Sequence, residues 1–244
     1  IAAGGARTEV SAVWNDGAIE LRVPGDVVDT SAYPAVLDPV VGPEFGLDEP
    51  VLAPSANGDA QPAIASNGTD YLVVWSGSGV ILGTRVTAAG VVLDVPAFRI
   101  GSGPGSRGSP AVASNGTDYL VAWEDLRDSE PASSSDTNIY GARVTSAGVV
   151  LDSGGMLIGG GTNAQESVSL ASVGDDYLVV WGDRRAGTRW DVYGTRVSSA
   201  GTVENSSGVI MVEGTASTPR PYVAANPTGY LLAVRAVADL LAAA

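Results

Sequence analysis

The sequence predicts an all-β chain, a β-propeller of four-stranded antiparallel blades. Three observations predict it. One peptide motif recurs along the chain, each copy breaks into four short apolar segments, and glycine-rich turns separate those segments. The first full copy, Pro62-Ala-Ile-Ala-Ser-Asn-Gly-Thr-Asp-Tyr-Leu-Val-Val-Trp75, returns at Pro110–Trp123 with only Val112 and Ala122 changed. Val168–Trp181 is a third copy, Pro221–Val234 a degraded fourth, and Glu9–Trp14 echoes the second half of the motif. From Tyr71 to Tyr119, Tyr177 and Tyr230 the spacing is 48, 58 and 53 residues. Four strands per unit of roughly 40–50 residues is the arithmetic of a propeller blade.

The second copy justifies each element in turn. Ala111–Ser114 is the first strand. Asn115-Gly116 is a hairpin signal, because both residues tolerate a positive φ. Tyr119–Trp123 is the second strand, rich in strand formers. Ile139–Thr145 is the third, and Ala147-Gly148 turns the chain into a fourth at Val149–Ile158, with a kink expected at Gly154-Gly155. No window sustains a 3.6-residue period, which argues against a helical solenoid. The units run 8–60, 61–109, 110–166, 167–219 and 220–244 within one domain, the first and last incomplete. Five blades is the favoured count, with four blades closed through the termini as the alternative. Residues 24–46, with four prolines, read as an irregular insertion, and the chain as a piece of a longer protein.

Composition excludes several chemistries. The 244 residues carry a net charge of -14, and all 13 basic residues are arginine. There is no histidine and no cysteine, so His-based triads, disulfides and zinc–thiolate sites are out. The acidic balance argues against nucleic-acid partners. No apolar run of 18 residues exists, so no membrane-inserted helix is expected. Gly103-Pro-Gly-Ser-Arg-Gly108 matches a nucleotide-loop pattern in letters but precedes no helix.

The motif Ala-Ser-Asn-Gly-Thr-Asp-Tyr-Leu-Val-Val-Trp, followed by Tyr-Gly-Thr-Arg-Val and Ala-Gly-Val-Val-Leu-Asp, resembles that of secreted bacterial β-propeller repeat proteins. The resemblance covers roughly residues 60–235. It implies a propeller and export, to the medium or the cell envelope of a bacterium. It brings no catalytic residues.

Repeated side chains supply the candidate site. The motif Tyr and Trp lie four residues apart on one strand face, as inter-blade core or as sugar-stacking platforms. Trp123-Glu-Asp125-Leu-Arg127 and Trp181-Gly-Asp183-Arg-Arg185 are each followed by Asn138 or Asp191. Such Asp–Arg pairs can brace a long hairpin through bidentate bonds or offer a repeated ligand pocket. The candidate ligand-binding residues are therefore Asp125, Arg127, Asn138, Asp183, Arg185, Trp190 and Asp191, on the face bearing the strand 2–3 and inter-blade loops. Trp190 stands outside the repeat, so it is the first aromatic to name as a contact. Asp70, Asp118, Asp175 and Asp176 sit in turns, where they would cap backbone amides. No cofactor is required. Calcium is the metal that Glu124, Asp128, Glu130 and Asp136 could take, although the usual loop spacing is absent.

The main functional expectation is a non-catalytic extracellular binding or scaffold module, because repeated surfaces suit multivalent binding. Its partner would be a glycan or an extracellular protein; the oligomeric state is not predicted. Two alternatives stand beside it. One is a glycoside hydrolase or lyase using paired carboxylates, with Asp125, Asp183 and Asp191 as its candidates. The other is a structural subunit of a surface layer or filament.

Overall fold

A computed structural model describes residues 12–15, 18–21, 60–129, 136–187, 189–215, 218–235 and 240–243; of 12–15, 18–21, 60, 215 and 240–243 only the backbone is described. The chain divides into two compact units, residues 1–46 and 47–244. In the first unit, β1 (Ala12–Asn15) and β2 (Ala18–Leu21) pair antiparallel, with Trp14 opposite Ile19. The proline-rich insertion at 24–46 lies outside the described residues.

The second unit is built of β-propeller blades. β3 (Ala60–Ser66), β4 (Asp70–Gly77), β5 (Val80–Thr87) and β6 (Phe98–Arg99) form one four-stranded antiparallel sheet in chain order. β7 (Arg107–Ser114), β8 (Tyr119–Asp125), β9 (Asn138–Val144) and β10 (Met156–Gly159) form the next. β11 (Gln165–Val173), β12 (Asp176–Asp183), β13 (Trp190–Val197) and β14 (Val209–Thr215) form the third. β15 (Arg220–Asn226), β16 (Gly229–Arg235) and β17 (Leu240–Ala243) make a three-stranded sheet. The first strands β3, β7, β11 and β15 pack in sequence against one another, and residues of all four line a common hollow.

In the second and third blades the repeated aromatics are inter-blade core. Trp123 and Trp181 are fully buried and Tyr119 and Tyr177 nearly so. Three motif tyrosines reach back to the preceding blade: Tyr119 Oη donates to the Asp70 carbonyl, Tyr177 to that of Asp118 and Tyr230 to that of Asp176. A fully buried Trp cannot serve as a sugar platform, so that reading is set aside for Trp123 and Trp181; in the first copy Trp75 is only partly buried and Tyr71 is exposed. Glycine makes room for the indoles. A Cβ on Gly159 would lie 2.7 Å from Trp181 Cζ2, and one on Gly101 2.9 Å from Trp123 Cζ2.

Two local expectations change. The fourth strand of the second blade does not run from Val149. Val150 makes only an isolated bridge to Val144, the chain turns at Asp152–Gly155, and pairing resumes at Met156. Gly155 takes φ +74° there, so the expected kink is a full break. Asp118 Oδ1 accepts the Ser146 amide at 3.1 Å as expected, but the amides within the hairpin turns themselves are capped by asparagines. Asn115 Oδ1 accepts from the amides of Thr117 and Asp118, and Asn67 does the same for Thr69 and Asp70. Only the glycine of each Asn-Gly pair takes a positive φ; the asparagine contributes its side-chain acceptor instead.

Candidate active site

The conspicuous repeated polar cluster is internal. Asp125 is fully buried, and its Oδ2 accepts from Trp123 Nε1 at 2.9 Å and from Arg127 Nη2 at 2.6 Å. Its Oδ1 takes the Arg127 amide at 2.9 Å. Arg107 Nε stands 3.0 Å from the same carboxylate as an ion pair without hydrogen-bond alignment. The third blade repeats this arrangement with Asp183, Trp181 and Arg185. Each guanidinium lies 4.0 Å over a tyrosine ring, Arg127 on Tyr140 and Arg185 on Tyr193. Buried carboxylates of this kind are satisfied by charge-assisted bonds. Burial pushes Asp125 up, but the bonds from Arg127 and Trp123 outweigh it and hold its carboxyl below the usual range.

The other sequence candidates are similarly engaged. Asp191 is nearly buried and accepts from the Gly214 amide at 2.7 Å. Asn138 Nδ2 and Tyr140 Oη both donate to Asp128 Oδ2, at 3.0 and 2.7 Å. Burial, together with that bond, pushes the Tyr140 phenol up to about 12. Asp125, Asp183 and Asp191, offered from sequence as catalytic carboxylates, thus face inward against their partners. The calcium candidates do not converge among the described residues. Glu124 turns to the hollow, Asp128 is taken by Asn138 and Tyr140, and Glu130 lies outside the described residues. Among the described residues no three Asp, Glu, His or Cys side chains come together around a metal position. Arg184 lies 5.9 Å over the Trp190 ring, and neither residue is among those that line the hollow.

A different set of residues gathers at the end of the hollow. The first strands of three blades open with the same irregularity. Register shifts fall between Ala60 and Ala63, between Gly108 and Ala111, and between Glu166 and Ser169. Within each shift one residue takes a left-handed backbone: Gln61 at φ 59°, Ser109 at 47° and Ser167 at 59°. Such bulges re-aim side chains, and strained non-glycine backbone gathers at functional sites. Here they turn Ser109 and Ser167 toward Glu124. Ser109 Oγ donates to Glu124 Oε2 at 3.0 Å, and the Ser167 amide donates to Oε1 at 2.8 Å. The carboxylate of one blade is therefore held by the first strand of its own blade and by that of the next.

Glu166 immediately precedes Ser167. Ser109, Glu124, Glu166, Ser167, Arg220 and Arg235 line a hollow of about 590 Å³, a size that suits a small ligand. Burial pushes the Glu124 carboxyl up, partly offset by its two hydrogen bonds. Glu166 is raised by burial and then by the charge of Glu124, with Arg184 acting against both. Two interacting carboxyls with raised protonation ranges are a recognised signature of acid–base sites.

Sequence reasoning named Glu124 only as a calcium candidate and passed over the rest of this set, because it attended to what repeats. Glu124 stands where the other copies have Ser76, Gly182 and Arg235, each directly after the motif Trp or its Val234 equivalent. Glu166 shares its register position with Ala60 and Gly108. Departure from the repeat at these two positions was the available signal.

No protein-family model matches the chain, and no curated relative does. Among solved structures it is similar to the catalytic domain of a Coprinopsis cinerea GH62 α-L-arabinofuranosidase, at 11% identity and TM-score 0.47, over 78% of this chain and 65% of that one. It is also similar to a Penicillium chrysogenum α-L-arabinanase complexed with arabinobiose, at 13% identity and TM-score 0.45, over 75% and 61%. TolB from Acinetobacter baumannii matches at 15% identity and TM-score 0.38, over 72% and 40%. The chain spans less than two thirds of the length of each.

The expectation of a non-catalytic binding module is corrected here. Several solved structures similar to this chain are arabinofuranosidases or arabinanases, and another is TolB. The repeated surfaces on which that expectation rested are internal braces, and the hollow carries one asymmetric carboxyl pair.

Proposed function

We propose that the chain is a glycoside hydrolase in which Glu166 is the general acid and Glu124 the base or nucleophile. The observation that carries this reading is that the two carboxyls line one end of a shared hollow. Glu124 receives two hydrogen bonds that favour its ionised form. Glu166 has no hydrogen bond to its carboxyl among the described residues, and both its burial and the neighbouring charge favour its protonated form. Environments that separate two carboxyls in this way assign acid and base.

The step follows from that assignment. Glu166 gives its proton to the glycosidic oxygen as the bond to the anomeric carbon breaks, and the sugar develops oxocarbenium character. Glu124, ionised, either takes a proton from the attacking water or bonds to the anomeric carbon itself. Water ends on the sugar, its hydroxyl at the anomeric carbon and its second proton on a carboxyl. The configuration of the first product tells which course Glu124 follows. The glycan is a substrate rather than a tethering partner. We further read the protein as exported, on the resemblance of its repeats.

The test is turnover of a panel of aryl furanosides and pyranosides and of plant and bacterial polysaccharides, compared with Glu124→Gln and Glu166→Gln. Each variant is expected to lose roughly 10²–10⁴-fold in kcat/KM on any substrate the parent cleaves. Loss with Glu166→Gln is expected to be smaller on substrates with good leaving groups, which need less protonation. Cleavage that survives both substitutions would remove the assignment.

A further inference from the structure

The arginines of the hollow bear on what it binds. Arg220 and Arg235 face each other directly across β15 and β16, and both line the end of the hollow that holds Glu124 and Glu166. Neither is in an ion pair among the described residues, whereas Arg85, Arg127, Arg143 and Arg185 each bind an aspartate within 3.0 Å. Like charges directly opposite on neighbouring strands are destabilising. Two arginines set directly opposite each other at the mouth of the hollow therefore carry a repulsion that a bound anion would offset. The position is also asymmetric: the corresponding cross-strand pairs of the other blades are Ala60 with Ser76, Gly108 with Glu124 and Glu166 with Gly182.

We propose that the hollow takes an anionic saccharide, one whose ring bears a carboxylate or a sulfate ester, with that group held by Arg220 and Arg235. The inference rests on the reading of Glu124 and Glu166 as the cleaving pair, and it names the substrate class. Guanidinium groups suit planar and tetrahedral oxyanions because they offer donors in a rigid fork. The charge balance agrees. The end of the hollow sets two arginines beside two glutamates, a far less acidic balance than the -14 of the chain as a whole.

Calorimetric titration of the Glu124→Gln/Glu166→Gln double variant separates binding from turnover. The probes are trigalacturonate, triglucuronate, a sulfated galactose trisaccharide and the neutral trisaccharides of matching linkage. The expected result is at least tenfold tighter binding of one anionic probe than of its neutral counterpart, with the preference weakening as salt is raised. The probe that wins distinguishes carboxylate from sulfate. Adding Arg220→Gln and Arg235→Gln is expected to abolish the preference, and the two Arg→Lys changes to keep part of it. A melting profile like that of the double variant shows that the fold is intact. Equal binding of neutral and anionic probes, no binding of any anionic probe, or a preference that survives loss of both arginines would overturn the proposal. The parallel assay of the parent protein keeps the two readings apart. A probe that binds through the arginines but is never cleaved contradicts the catalytic reading alone; cleavage restricted to neutral probes contradicts the anion site alone.

Discussion

The braces at Asp125 and Asp183 and the end of the hollow at Glu124 and Glu166 lie one residue or a strand apart, yet they obey opposite logic. At the braces a carboxylate is fully buried, bonded to an indole and a guanidinium, and nearly identical in two blades. At the hollow a carboxylate is half-buried, coupled to a second carboxylate, and present in one blade only. Asp125 is held below its usual range while Glu124, its neighbour in sequence, is raised. Alternation of side chains along β8 sends one inward and the other to the hollow. In a repeat protein, what recurs builds the fold and what departs from the recurrence is free to do chemistry.

Substitution sharpens this contrast. Asp125→Asn is expected to lower stability by about 3–5 kcal/mol, because it leaves buried guanidinium groups without their counter-charge. Chemical denaturation checks it, and any loss of activity should track unfolding. Trp181→Ala should cost a similar ~3–5 kcal/mol, by emptying the inter-blade wedge. Glu166→Gln should do the reverse, removing turnover while leaving the denaturation midpoint unchanged or slightly raised.

The pH dependence of stability carries the same contrast with opposite signs. Asp94 is lowered by its bonds from Arg85; at Asp125 and Asp152 burial acts upward but the arginine bonds prevail. These groups contribute stability that is present above the ordinary aspartate range and lost as pH falls through their lowered values. Glu124 and Glu166 are raised, so their contribution is full below the ordinary glutamate range and lost as pH rises through their raised values. Acid denaturation is therefore expected to steepen below the ordinary aspartate range, and Glu166→Gln to flatten the decline on the side above the glutamate range. Melting temperature measured against pH for the parent and this variant shows whether the two limbs separate.

Much of the fold was legible because its causes are local and repeated. The Tyr–Trp spacing, the Asn-Gly turns and the apolar segments each specify a strand or a hairpin, and they occur again and again. The break at Asp152–Gly155 was half legible, since Gly154-Gly155 marks it, but sequence could not say that pairing stops altogether. The site was hidden for a different reason. Ser109 and Ser167 reach Glu124 only through bulges with left-handed backbone at non-glycine residues, which sequence patterns do not announce. Asp125 and Asp183 looked like ligand contacts because their burial depends on tertiary packing of the Trp that precedes them.

The most direct test of the central claim needs no substrate. Carboxyl-carbon NMR of Glu166 across pH should give a protonation midpoint above that of an ordinary glutamate. In Glu124→Gln that midpoint should fall, since the neighbouring charge is gone, yet stay above ordinary because burial remains. An ordinary midpoint in the parent, unmoved by Glu124→Gln, would mean that the two carboxyls do not act as a pair.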